Sequence, residues 1–319
     1  MGRYLIIRVG RWIASVAIIV FVTYAMMFYG AADPIKRMFM TRNESDKWLD
    51  QLTIDALREK YGLDKPFPEQ LKNYVSRLLV GDWGNSFAES NRPVWDMVRA
   101  KLPISMQLGL AATVLITIVG IPLGVLAALC HNHWPDAAII GTISFVNGIP
   151  QFVTAPMLML LLVLGLHVLD VPYGWKGLFD QQVILPVVVL SLGAVQGVIR
   201  QARVGMLEVM SADYVRTARA KGLPERLVIM RHMLRVVLIP VVTSIGLTMI
   251  TMVNGAIYVE KIFNIPGFGS LTLNGLNSAD YPVIMASVLV GTLIILVSNL
   301  LVDLIYPLLD PRITHEGHD

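Results

Sequence analysis

Charge is scarce in this chain of 319 residues: Asp, Glu, Lys and Arg make up 15%, while hydrophobic residues fill 55%. Soluble domains carry about 25% charged residues, so the deficit calls for hydrocarbon rather than a larger aqueous core, and the chain is read as membrane-embedded. The formal net charge of +3 is too small to argue for a nucleic-acid partner. Cys130 is the only cysteine, which excludes an intrachain disulfide framework or a cysteine zinc site. There is no Gly-Lys dipeptide, hence no Walker A loop, and no Gly-x-Ser-x-Gly elbow. His131 with His133, and His315 with His318, are short surface clusters without further ligands and read as solvated loops. Catalysis within the chain is unsupported, and no cofactor or metal is expected in it.

Long apolar runs occur at 12–30, 104–129, 137–166, 183–199, 236–259 and 283–308. At 1.5 Å per residue each can cross about 30 Å of hydrocarbon, which predicts an all-α protein, a polytopic six-helix transmembrane bundle. A cleaved signal peptide competes for the first run, but a core of roughly 19 residues exceeds the usual 7–15, so a retained anchor is expected. The third run is longer than one crossing needs and is interrupted by Gly148, Pro150 and Pro156, while Pro122, Pro186 and Pro240 sit in or near others. Neighbouring helices must satisfy the carbonyls such breaks free, so the helices pack as a bundle.

Basic residues set the orientation. Arg3, Arg8 and Arg11 precede the first run; Arg200, Arg203, Arg216, Arg219, Lys221, Arg226, Arg231 and Arg235 follow the fourth; Arg312 lies in the tail. The opposite short loops hold only Lys176 and Lys261. By the positive-inside rule both termini are cytoplasmic, and residues 31–103 face outward, which the rule tolerates in a long segment. The expected organisation is residues 1–30 as cytoplasmic N-terminus and first helix, 31–103 as a small extracytoplasmic helical domain, and 104–319 as a five-helix core with a cytoplasmic loop at 200–235. In the outer segment Leu49, Leu52, Ala56 and Leu57 recur at helical spacing until Gly62, and Pro68 opens a second run with Leu71, Val75, Leu78 and Leu79, closed by Gly81. It is either a cap on the bundle or a docking surface.

Ion-coupled transporters usually place ionisable groups near the bilayer centre. Here Asp303 is the exception in otherwise uncharged runs, and it lies close enough to the cytoplasmic end to read as structural. The chain describes a pathway without its own energy source: a channel needs none, and a pump takes it from another subunit. Asn147, Gln151, Gln196 and Asn254 suit a path for a hydrated solute and equally suit interhelical hydrogen bonds.

The loop after the fourth run separates these readings. Ser211 is a good N-cap, Asp213 lies in a first turn, Lys221 in a last turn, and Gly222 supplies a left-handed position before Pro224, so the spacing predicts a helix over 212–221. About 15 Å of helix is too short to be stable alone and must be held by packing. Ala212, Val215, Ala218 and the edge of Arg219 share a face small enough for another protein to approach. The plainer reading is that these arginines follow the positive-inside rule or attract anionic lipid.

Asp213-Tyr214-Val215-Arg216-Thr217-Ala218-Arg219-Ala220-Lys221-Gly222, followed by Arg231-His232 and Leu238-Ile239-Pro240, resembles the EAA loop of binding-protein-dependent ABC importer permeases of the dipeptide/oligopeptide/nickel branch. Gly62-Leu63-Asp64-Lys65-Pro66, Gly81-Asp82-Trp83-Gly84-Asn85-Ser86, Arg92-Pro93-Val94, Gly120 to Gly124, Val259-Glu260-Lys261-Ile262-Phe263-Asn264-Ile265-Pro266-Gly267 and Asp310-Pro311-Arg312 agree with it along nearly the whole chain. The long segment after the first run is similar to that of the B-type subunit. Arg216 and Thr217 stand where the broader family has Glu and Ala, a departure typical of the peptide branch.

The resemblance implies a type I importer permease fold. It implies that Asp213, Tyr214, Arg216, Thr217, Ala218, Arg219, Lys221 and Gly222 couple to a cytoplasmic ATPase, and that the 262–280 region, with Phe263, Asn264, Pro266 and Phe268, lies near the outer gate and a binding protein. The implied partners are a homologous C-type permease subunit, two ATPase subunits that bind ATP and Mg, an extracytoplasmic solute-binding protein and the lipid of a bacterial or archaeal cytoplasmic membrane. Dipeptides or oligopeptides are the expected cargo; nickel chelates, glutathione or sugars, or an ATP-independent transporter or channel, are the alternatives.

Overall fold

The computed structural model describes residues 2–30, 35, 51–89 and 92–309, with side chains described for all but 2–9, 51–53, 57, 60, 247, 250–255 and 301–309. In chain order its helices are α1 (Gly2–Gly30), α2 (Gln51–Tyr61), α3 (Phe67–Leu79), α4 (Val94–Leu129), α5 (Trp134–Asn147), α6 (Gln151–Met159), α7 (Ile184–Met210), α8 (Asp213–Ala220), α9 (Leu234–Gly255), α10 (Ile257–Ile262), α11 (Phe268–Asn277) and α12 (Tyr281–Leu309). Among the described residues the only β pairing is a lone antiparallel bridge between Asn85 and Pro93. Five segments of the described residues are long and apolar enough to cross a membrane: Gly10–Gly30, Val94–Leu129, Gln181–Met210, Glu225–Gly246 and Tyr281–Leu300. A sixth candidate is the pair Trp134–Asn147 and Gln151–Gly165, bent by 100°.

That bend falls where the sequence interrupts the 137–166 run, at Gly148 and Pro150. Pro150 has no amide to extend α5 and instead stands as the N-cap of α6, while the Gly148 amide turns back to the Ser144 and Phe145 carbonyls. Pro156 stays inside α6, and four residues later the helix widens into the π-helix Leu160–Gly165. The fourth run is also longer than expected: α7 continues eleven residues past Ile199 to Met210, because a charged helical face does not end a helix.

The chain divides into two compact units, Met1–Ile104 with Pro266–Leu296, and Ser105–Ile265 with Val297–Asp319. In the first, Val20 and Met27 of α1 pack with Met285 and Leu289 of α12, flanked by Leu71, Tyr74 and Leu78 of α3. A second cluster joins Val94, Met97 and Val98 at the start of α4 to Phe268 and Leu271 of α11 and to Val283, Ala286 and Val290 of α12. The outer helices begin and end where their punctuation residues stand. Gly62 takes φ +68° and the Leu63 amide closes onto the Arg58 carbonyl at 2.8 Å, which ends α2. Pro68 occupies the first turn of α3, where a missing amide hydrogen costs nothing. Leu49 lies outside the described residues.

In the second unit, close backbone approach holds the helices together. Gly120 and Gly124, four residues apart on α4, face Val195, Val198, Ile199 and Ala202 of α7. A Cβ at Gly124 would lie 2.6 Å from the Ile199 carbonyl oxygen and 2.7 Å from the Ala202 Cβ. This is the small-xxx-small contact that lets membrane helices gain dispersion energy where apolar burial offers little drive. On another side of α7, Gly205 meets Val237 of α9, where a Cβ would lie 3.2 Å from Cγ1.

Candidate coupling helix and transport pathway

The helix expected in the 200–235 loop forms as α8, Asp213–Ala220, one residue shorter at each end than the sequence predicts. Ser211 is not its N-cap. Since α7 runs to Met210, Ser211 is that helix's C-cap and its hydroxyl donates to the Glu208 carbonyl at 2.9 Å; Ala212 takes the N-cap position instead. At the other end Gly222 does adopt the left-handed conformation, φ +74°, with its amide on the Arg219 carbonyl at 2.9 Å.

The face expected to lie open is closed by the chain itself. Val215 and Ala218 are buried, and α8 packs against the π-helix Val228–Met233, whose Val228 and Met233 are also buried. A helix this short needs that support. Arg219 donates from Nη2 to Glu225 Oε1 at 2.6 Å and from Nε to Oε2 at 3.1 Å, a bidentate clasp across the Gly222 turn. The hydrogen-bonded carboxylate holds the Arg219 pKa above its usual value, and partial burial raises that of the Tyr214 phenol. Asp213, Tyr214, Arg216, Thr217, Ala220 and Lys221 are left exposed. Among the described residues no atom lies within 4 Å of a Cβ built on Gly222, so Gly222→Ala is expected to cost only its conformation, about 1 kcal/mol. Amide exchange at residues 221–223 should then quicken about fivefold, with α7 and α9 unchanged; a loss of protection there as well would show that Gly222 is also a packing position.

Asn147 and Gln151 come together, with Thr154 and Gly193, around a cavity of about 220 Å³ between α5, α6 and α7. Gln151 lies across Gly193, where a Cβ would overlap its amide nitrogen. Gln196 on α7 donates to the Ser144 hydroxyl at 3.2 Å, and Arg200 donates to the same oxygen at 3.2 Å. The side chain of Asn254 lies outside the described residues, as do those of Asp303 and of Asp310, Arg312, His315 and His318. Nearer the α5 start, Asp136 is buried and accepts from Arg203 Nε at 2.7 Å and Nη2 at 2.6 Å, while His131 Nδ1 lies 3.2 Å away. Uncharged runs that stop at charges cannot reveal this pair: Asp136 sits one residue before the third run and Arg203 four after the fourth, yet both lie inside helices.

Of the expected gate residues, Phe263 and Phe268 are buried and Asn264 and Pro266 are exposed. In the first unit, Asp280 is buried and gathers the loop before α4: the Ser86 hydroxyl donates to it, as do the amides of Phe87 and Ala88 at 3.1 Å each. The Gly81 to Ser86 motif thereby acquires a physical reason. Gly81 and Gly84 have positive φ, Asp82 accepts from the Gly84 amide at 2.9 Å, and Trp83 stacks on Trp95 at 5.3 Å. In the second unit, fully buried Glu260 accepts from Ser105 Oγ at 2.5 Å. Neither carboxylate is legible as structural from the sequence, since each lies in a motif whose partner is distant in the chain.

Apolar helices seamed by polar side chains, with a short helix exposed on a loop between two of them, define a polytopic α-helical membrane protein. Residues 120–315 match the family described as binding-protein-dependent transport system inner membrane component, and residues 1–109 match its N-terminal component. The chain belongs to this family. It is similar to the dipeptide transport system permease protein DppB of Lactococcus lactis subsp. cremoris, 36% identical over 314 residues that cover 98% of this chain and 99% of the relative. To the oligopeptide permeases OppB of Escherichia coli K12 and AppB of Bacillus subtilis it is 34% identical, covering 99% of this chain and 100% of each. A chain of the solved inward-facing MetNI methionine ABC transporter superposes with a TM-score of 0.55 at 16% identity, covering 67% of this chain and 96% of that one, which shows a shared fold. The type I ABC importer permease fold is thus the fold of this chain, in a multi-pass inner-membrane subunit.

Proposed function

We propose that this subunit forms half of the membrane pathway of an ATP-driven importer of dipeptides and oligopeptides. It pairs with a homologous C-type permease subunit, both termini lie in the cytoplasm, and an extracytoplasmic solute-binding protein delivers the cargo. ATP and Mg are bound by two ATPase subunits, not by this chain. Similarity to three peptide permeases over nearly the full length supports the cargo class.

The observation that carries the coupling role is the exposed side of α8, with Tyr214, Arg216, Thr217 and Lys221 outward and Val215 and Ala218 fixed beneath. Aromatic and arginine side chains on a rigid support are the usual anchors of an interface. ATPase closure would move α8 with the helices it packs on, switching the bundle between two packings. The test is the double exchange Tyr214→Ala with Arg216→Glu in the assembled importer. At about 2 kcal/mol for an anchor residue, ATPase co-purification should fall about thirtyfold and peptide uptake with it, while membrane insertion is unchanged. Undiminished ATPase recovery together with unchanged uptake would remove α8 from the coupling role, and uptake that persists after ATP depletion would point to a channel.

A further inference from the structure

Between the start of α5 and the last turns of α7 lies a cavity of about 610 Å³, lined by Asn132, His133, Trp134, Asp136, Arg200 and Arg203 among others. Its two arginines are not equivalent. Arg203 is neutralised by the bidentate Asp136 carboxylate and ties α5 to α7. Arg200 is exposed, makes only a neutral hydrogen bond to Ser144 Oγ, and among the described residues has no carboxylate partner. Its positive charge is therefore available at the cavity.

The position of that charge matters. Ser144 binds Arg200 and Gln196 at once, and Asn147 and Gln151 follow along the same α5–α6–α7 seam. A row of polar side chains ending in an arginine does not suit a surface facing lipid tails; it suits one facing water or another subunit. On the orientation proposed above, Arg200 stands at the cytoplasmic end of the row.

We infer that Arg200 takes the carboxylate of the cargo as it leaves the seam for the cytoplasm, which makes it a specificity-determining residue of the pathway. The inference rests on the peptide reading: a peptide with a free C-terminus carries one carboxylate whatever its side chains, so a single guanidinium serves every sequence. Arg is suited to this because its fork can hold Ser144 with one nitrogen and offer others to an oxyanion. The neighbouring Asp136 does not repel the carboxylate, because its charge is spent on Arg203.

The experiment uses the complete importer in proteoliposomes, with dialanine and its C-terminal amide each at saturating concentration, in wild type, Arg200→Gln and Arg200→Lys. A lost charged hydrogen bond corresponds to about tenfold. Arg200→Gln should slow dialanine uptake by that factor relative to wild type and the amide by less than twofold, and Arg200→Lys should restore most of the difference. An equal loss for both cargoes would make Arg200 a structural residue acting through Ser144, and no loss for either would remove it from the path. Loss of co-purifying anionic phospholipid from Arg200→Gln, with the cargo ratio unchanged, would give the site to a lipid phosphate. Each of these overturns the inference. Wild type that carries neither compound would instead overturn the peptide reading, and this inference with it.

Discussion

Gly124→Ala is expected to remove most of the folded protein from the membrane. The added carbon would lie 2.6 Å from a backbone carbonyl oxygen, on Ile199, and 2.7 Å from the Ala202 Cβ, and neither can rotate away. The helices must part along α4 and α7, and overpacking of this kind costs about 1–3 kcal/mol on top of the dispersion energy forfeited along the seam. At Gly120 the obstacle is the Val198 side chain at 2.9 Å, so Gly120→Ala should be milder. Gly197 has nothing within 4 Å, so Gly197→Ala should be neutral or slightly stabilising to the subunit through helix propensity. Thermal denaturation of the purified subunit in detergent should rank the three as Gly124, Gly120, Gly197 from most to least harmful. If Gly124→Ala melts with wild type, the α4–α7 contact is not what the backbone geometry describes.

The second large effect is expected at Asp280. Asp280→Ala removes the carboxylate that accepts from the buried Ser86 hydroxyl and from the half-buried Phe87 and Ala88 amides. A buried donor that loses its acceptor costs about 1–3 kcal/mol and the two half-buried amides add less each, so the loop should loosen by about 3 kcal/mol. Asp280→Asn should fall between, since one amide oxygen can still accept while its NH2 opposes a donor. Proteolysis or amide exchange in residues 84–89 reports the loosening. Should that loop stay as protected in Asp280→Ala as in wild type, the carboxylate is not its clamp.

Local punctuation is readable in the sequence. Gly62, Pro68, Gly81 and Gly222 act where they stand because each sets the backbone of its own turn, and the proline-interrupted third run does break. Tertiary partners are not readable. The spacing of Gly120 and Gly124 announces a close helix contact but not that α7 supplies it. Ser86 and Asp280 are 194 residues apart, and Asp136 and Arg203 are 67 apart. The candidate coupling helix α8 shows both sides of this: its location follows from Gly222 and the charge pattern, but the small face that the pattern offers to a partner is the face the chain uses to support itself. An eight-residue helix must bury something, and with one amphipathic stripe its apolar side goes inward.

The 100° break between α5 and α6 also has an electrical consequence. Where α5 stops at Asn147 its last carbonyls gather a fractional negative charge, and where α6 starts at Gln151 its first amides gather a fractional positive one, each about half an elementary charge in a full helix. Both ends border the same cavity. The backbone therefore offers this point two opposite poles that no proton can titrate, so a zwitterion would find the same field there in acid as in alkali.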